Sequence, residues 1–123
     1  MGKRGGDIEL TPDVTFELLS DSRRQYALAY LSRRDQPVSM DELARHIAAW
    51  EGDDPVNDIE EETIERIQMT LYHNHIPKLI AAGLVERGEQ NGGQVLESTD
   101  KVNQVEAELR MGLDDGPKKH YTT

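Results

Sequence analysis

The stretch Leu71-Tyr-His-Asn-His-Ile-Pro-Lys-Leu-Ile-Ala-Ala-Gly-Leu-Val85 decides how this chain is read. Around and before it, Ile64, Ile67, Leu71, Ile76 and Leu79 recur at helical spacing. That stripe predicts one long helix from about Glu60 to Ala82. Glu60, Glu61 and Glu62 suit the positive end of its dipole. The stripe drifts, and Pro77 inside it predicts a kink, because proline has no N–H for the carbonyl of His73. Gly83 is a natural left-handed stop. Leu84-Val-Glu-Arg87 then reads as a strand, Glu89-Gln-Asn-Gly-Gly93 as a turn and Gln94-Val-Leu-Glu97 as the return strand.

Upstream, the pattern is helical again. Asp13 is expected to cap a short helix carrying Val14, Phe16, Leu18 and Leu19, and Ser20 or Asp21 to start the next. Tyr26, Ala27, Tyr30 and Leu31 give that second helix one apolar face, and Asp35-Gln-Pro37 ends it. Val38 reads as a lone extended residue. Ser39-Met-Asp-Glu42 has the form of a capping box, in which serine and glutamate each satisfy the other's backbone amide. The helix after it buries Leu43, Ala44, Ile47 and Ala48, carries Trp50 near its end and stops at Gly52. Residues 52–59 form a loop. Downstream of the hairpin, Thr99 or Asp100 caps a last helix with Val102, Val105 and Leu109 on one side. The resulting division is a tail at 1–12, one domain at 13–97, a C-terminal helix at 98–112 and a second tail at 113–123.

The order of helix, extended residue, helix, long helix and hairpin is that of a winged helix-turn-helix, mainly α with a small β-hairpin wing. Ile76, Leu79 and Gly83-Leu-Val85 resemble the end of the recognition helix in ArsR-like and MarR-like regulators. Glu17-Leu-Leu-Ser-Asp-Ser-Arg-Arg-Gln-Tyr26, Pro37-Val-Ser-Met-Asp-Glu-Leu-Ala44 and Trp50 ahead of an acidic loop are similar to a poorly characterised haloarchaeal winged-helix family. The likeness spans about residues 14–97. It implies a DNA-binding regulator of transcription.

Composition narrows the function classes. The 123 residues carry 24 acidic and 14 basic side chains, a net charge of −10. Acids spread along the whole chain suit a cell interior rich in salt, where self-repulsion is screened. No apolar run reaches the length of a membrane span, and no apolar signal region follows the basic start, so a soluble cytoplasmic protein is expected. The absence of cysteine excludes disulfides and thiol chemistry. His73 and His75 are two apart and point away from each other on a helix, so no metal site is expected. No nucleophile stands beside a base, and no glycine-rich phosphate loop is present, so neither an enzyme nor a cofactor is expected.

The side chains away from the core therefore carry the function. On the long helix, Arg66, Thr70, His73 and Asn74 lie opposite or beside the apolar stripe and suit base edges or phosphates in a major groove. Arg87 and the Gln90-Asn91 tip suit the wing's approach to the backbone or minor groove. Arg23 and Arg24, at a helix start, suit phosphates. Val102, Val105 and Leu109 are expected to pair two copies into a homodimer that matches two DNA half-sites, or else to pack back on their own domain. Glu60, Glu61, Glu62 and Glu65 bear the wrong sign for phosphates, and residues 52–59 lengthen the connection before the long helix. These features support a second reading, a module that binds another regulatory protein.

Overall fold

The structure is a computed structural model, and it describes residues 9–52, 55, 58–106 and 109. Helix α1 spans Pro12–Leu19. Thr11, rather than Asp13, is its cap, and the threonine hydroxyl accepts the Val14 amide at 3.2 Å. Proline fits the first helical position because the amide it lacks has no partner there anyway. Asp13 then lies in the first turn, where its charge suits the dipole. Helix α2, Ser22–Ser32, is capped by Asp21, whose carboxylate accepts the amides of Arg23 and Arg24.

Val38 is not alone. Val38–Ser39 form strand β1 and pair antiparallel with the return strand of the wing. Helix α3 follows at Met40–Gly52. Half of the expected capping box forms, with the Glu42 amide donating to Ser39 Oγ at 3.0 Å. The Glu42 carboxylate instead accepts the Tyr30 hydroxyl at 2.7 Å and lies 3.6 Å from Arg34. The phenol and the guanidinium together outweigh one backbone amide as partners for it.

The long helix is built in three pieces. Helix α4 spans Glu61–Thr70, a π-helical turn spans Leu71–His75 and helix α5 spans Ile76–Ala81. In the π turn the Ile76 amide donates to the carbonyl of Leu71, five residues back. The irregularity expected at Pro77 is thus taken up one turn earlier. Pro77 cannot donate to the His73 carbonyl and crowds it, and the widened turn before it absorbs the extra residue. The same change accounts for the drift of the apolar stripe, since Leu71, His75, Ile76 and Leu79 are all buried.

Gly83, at φ 78°, ends α5. The Leu84 amide reaches the Leu79 carbonyl at 3.0 Å and the Gly83 amide reaches Ile80 at 2.8 Å. This closes the helix and aims Leu84 and Val85 into the core. Strands β2, Val85–Gln90, and β3, Gly93–Ser98, form the hairpin. Its two-residue turn, Asn91-Gly92, has positive φ at both positions, which matches the twist of the strands. The sheet order is β1-β3-β2, with Val38 opposite Leu96 and Arg87 on the other side of Leu96.

A 3-10 helix at Asp100–Val105 follows, capped by Thr99. The Thr99 hydroxyl also donates to the Gly83 carbonyl at 2.6 Å, tying the end of the hairpin to the start of the wing. Val105 and Leu109 are buried in the same core as Leu28, Leu31, Leu43, Ile64, Leu71 and Leu84, and Val102 packs against it. Of the two expectations for this stripe, packing on its own domain is the one realised for these side chains. The expectations for 1–8 and 110–123, and those parts of the loop at 52–59 and of the last helix that fall on 53, 54, 56, 57, 107 and 108, lie outside the described residues. Among the described residues no helix is long and apolar enough to cross a membrane.

Candidate nucleic-acid interface

The core stripe fixes which side chains of the long helix face outward. Glu61, Glu62, Glu65, Arg66, Met69, Tyr72, His73, Asn74 and Lys78 are exposed. Arg87 projects from β2 toward them, and its guanidinium carbon lies 5.7 Å from the centre of the Tyr72 ring. The His73 ring stands edge-on to Tyr72, with centroids 5.0 Å apart at 87°. Tyr72 thus links wing and helix, and the cation held over its face is partly pre-ordered. Asn74 is exposed next in the chain.

Of the residues expected to act together, His73, Asn74 and Arg87 are brought to one region. Arg66 lies nearer the acidic start, 3.6 Å from Glu62. It also lines a cleft of about 500 Å³ with Arg23, Glu51, Asp58 and Glu60. Its exposed ion pair is weak and leaves the guanidinium able to change partners. Thr70 is half-buried and its hydroxyl donates to the Arg66 carbonyl at 3.1 Å. Bonded to its own helix in this way, it is poorly placed to read a base.

The two arginines at the start of α2 are engaged within the fold. Arg23 grips Glu51 with two hydrogen bonds, at 2.5 and 2.9 Å, and this bonding raises its pKa. Arg24 is only 7% exposed, and its guanidinium donates to the carbonyls of Leu18, at 2.7 Å, and Glu17, at 3.3 Å. Those carbonyls belong to the last turn of α1, which has no other helical donors for them. Arg24 therefore joins α1 to α2 and does not present a charge to a phosphate. Arg24→Met should cost about 1.5–3 kcal/mol, the worth of hydrogen bonds to a charged group. If the chain binds DNA, the salt dependence of that binding should stay unchanged in the folded variant. A slope lower by about one unit would instead place Arg24 on a phosphate.

The three described histidines have different surroundings. His46 lies 4.8 Å from the Tyr30 ring, in a row that continues through Tyr26 to Trp50. His73 is exposed. His75 is buried, and its Nδ1 has no hydrogen-bond partner among the described residues.

Sequence reasoning missed Met69 and Tyr72, which are 60% and 46% exposed. Both fall off the stripe formed by Ile64, Ile67 and Leu71, so their outward position was readable. The contact of Tyr72 with Arg87 was not, because 15 residues and a reversal of the chain separate them.

A three-helix unit, a short strand between its first two helices and a hairpin that packs beside the third define a winged-helix-like fold. Within that class, the chain belongs to the family described as a domain of unknown function, DUF7344, which matches residues 16–95. The match runs from Phe16 in α1 to Val95 in β3 and takes in the long helix and the wing. No curated protein and no solved structure matches the chain significantly.

Proposed function

We propose that this protein is a DNA-binding regulator of transcription of the ArsR/MarR-like kind. Its contact surface is the second half of the long helix together with the wing, and it works without metal, cofactor or enzymatic activity. The observation that carries this reading is the Arg87–Tyr72–His73 cluster, with Asn74 beside it. An asparagine amide matches the edge of adenine in a major groove, and arginine or histidine suits guanine or a phosphate. Tyr72 holds the wing cation in register with the helix. The carboxylates at the helix start favour a contact nearer its C-terminal half. A salt-rich interior would weaken the phosphate contribution, so hydrogen bonding and shape would have to supply much of the affinity.

Chromatin immunoprecipitation of the tagged protein in its own host, at native salt, tests this reading. Sharp peaks sharing a palindromic element support it. A flat profile with a co-purifying protein supports the second reading, an interaction module. The observation favouring that alternative is Met69, exposed on a helix whose start carries Glu61, Glu62 and Glu65. A homodimer would suit a palindrome. Because Val105 and Leu109 are spent inside the core, such a dimer would have to use another surface, and light scattering at high salt gives the oligomeric state.

A further inference from the structure

His75 occupies the last position of the π turn and is 3% exposed. Its Nε2 lies 3.9 Å from Asp21 Oδ1, too far for a hydrogen bond, and its Nδ1 has no partner among the described residues. An imidazole always has at least one N–H to place, so this position carries a standing cost that a leucine or phenylalanine would avoid. Four charged groups face it. Asp21, Arg23 and Arg24 come from the start of α2, and Glu51 comes from the end of α3.

The two carboxylates already have partners, and the two guanidinium groups repel an imidazolium. Asp21 Oδ1 accepts the amides of Arg23 and Arg24, Glu51 is gripped by Arg23, and the Arg24 guanidinium is spent on α1. Burial keeps the His75 pKa below its ordinary value of 6.5, Arg24 and Arg23 push it the same way, and Asp21 and Glu51 oppose them. The neutral ring is the form that fits.

One extra residue in a turn offsets the two halves of a helix, and removing it rotates one half against the other by about 100°. Leu71, His75 and Ile76 are all buried and hold the widened turn in place, while Tyr72, His73 and Asn74, between them, are exposed. Pro77 is exposed and only disfavours a regular turn, so His75 is the one polar side chain in the buried set that holds it, and its departure would loosen that set.

We propose that His75 is an acid-operated latch on the long helix: neutral, it stays buried behind Asp21 and holds the widened turn; protonated, it leaves the core and the exposed face at Tyr72–Asn74 turns relative to the wing. This inference needs no assumption about what that face binds. The sign follows from the direction of the shift. Because the buried ring is less basic than a free one, the open form takes up the proton first. The latch is fully set above pH 6.5 and is lost as pH falls below that value.

Nuclear magnetic resonance of the full chain at constant salt, from pH 8 to 4.5, tests it. The His75 ring should titrate below 6.5, and the amide shifts of residues 71–76 should follow the same midpoint. Protection from hydrogen exchange at 71–76 should fall by up to about tenfold per pH unit, as one-proton linkage requires. His75→Leu and His75→Phe should abolish this response, and His73→Asn should leave it intact. The proposal is overturned if the response survives both apolar variants, if it disappears in His73→Asn, or if 71–76 stay protected in the wild-type chain. It is also overturned if the whole core opens together, since His75 would then mark only acid unfolding. Should neither apolar variant fold, local against global opening in the wild-type chain still decides.

Discussion

Replacing His73 and Arg87 together by alanine is expected to weaken the proposed DNA binding on the order of 30- to 700-fold. The two side chains lie on either side of Tyr72, one on the helix and one on the wing. Each good contact to a base edge is worth about 1–3 kcal/mol, and losing two amounts to about 2–4 kcal/mol when they share a surface and do not add fully. Both side chains are exposed, so the cost in stability should stay within about 0.5 kcal/mol. Fluorescence anisotropy on the element recovered from the host measures the first quantity, and urea denaturation the second. The single variants separate their roles. Loss of Arg87 should reduce the salt slope by about one if it meets a phosphate, whereas loss of His73 should relax sequence preference if it meets a base. Undiminished binding by the double variant would remove this surface from the function. Arg66→Ala is then the informative comparison, because Arg66 lies on the far, acidic side of the same helix.

The second large effect concerns stability. Leu79→Ala should cost about 2–5 kcal/mol, the range for a leucine truncated in a packed core. Leu79 is fully buried on α5, where the long helix meets α2 and the base of the wing. Its carbonyl also closes the helix by accepting the Leu84 amide. A domain this small has roughly 5–15 kcal/mol in total, so the variant should melt far earlier or fail to fold. Phe16→Ala is the control, since Phe16 is 76% exposed and should change stability by no more than about 0.5 kcal/mol. A loss of under 1 kcal/mol for Leu79→Ala, measured by urea denaturation, would mean that α5 is not packed as described.

Phe16 and Leu79 also show how far hydrophobicity alone carries. Both were read as apolar positions on helices, yet one is at the surface and the other is at the centre. The helical stripe of α4 and α5 was legible because burial repeats with the helical period, and the left-handed stop at Gly83 was legible because few residues other than glycine accept that conformation. The turn signal at Glu89–Gly93 followed from the same physics, but the turn itself is only Asn91-Gly92, and both strands run up to it. Val38 looked isolated because its partner, Leu96, lies 58 residues away, and a two-residue strand has no periodicity of its own.

The candidate site was less legible than the fold. The exposure of His73, Asn74 and Arg87 was legible because polar residues on an outward face are visible in the pattern. The backbone partners of Thr70 and Arg24 were not legible, because a hydroxyl or a guanidinium looks the same in a sequence whether water, a ligand or a backbone carbonyl satisfies it. The sequence by itself determined the order of elements, the junction between long helix and wing, the acidic start of that helix and the side of it that faces outward, because each follows from local period, capping and turn chemistry. Only the tertiary structure decided that Arg24 is a strut between α1 and α2, that Tyr72 meets Arg87, that Val105 and Leu109 complete the core and that His75 sits unpartnered behind Asp21. These are contacts between segments distant in the chain or competitions between alternative partners, and neither leaves a mark on the spacing of residues along it.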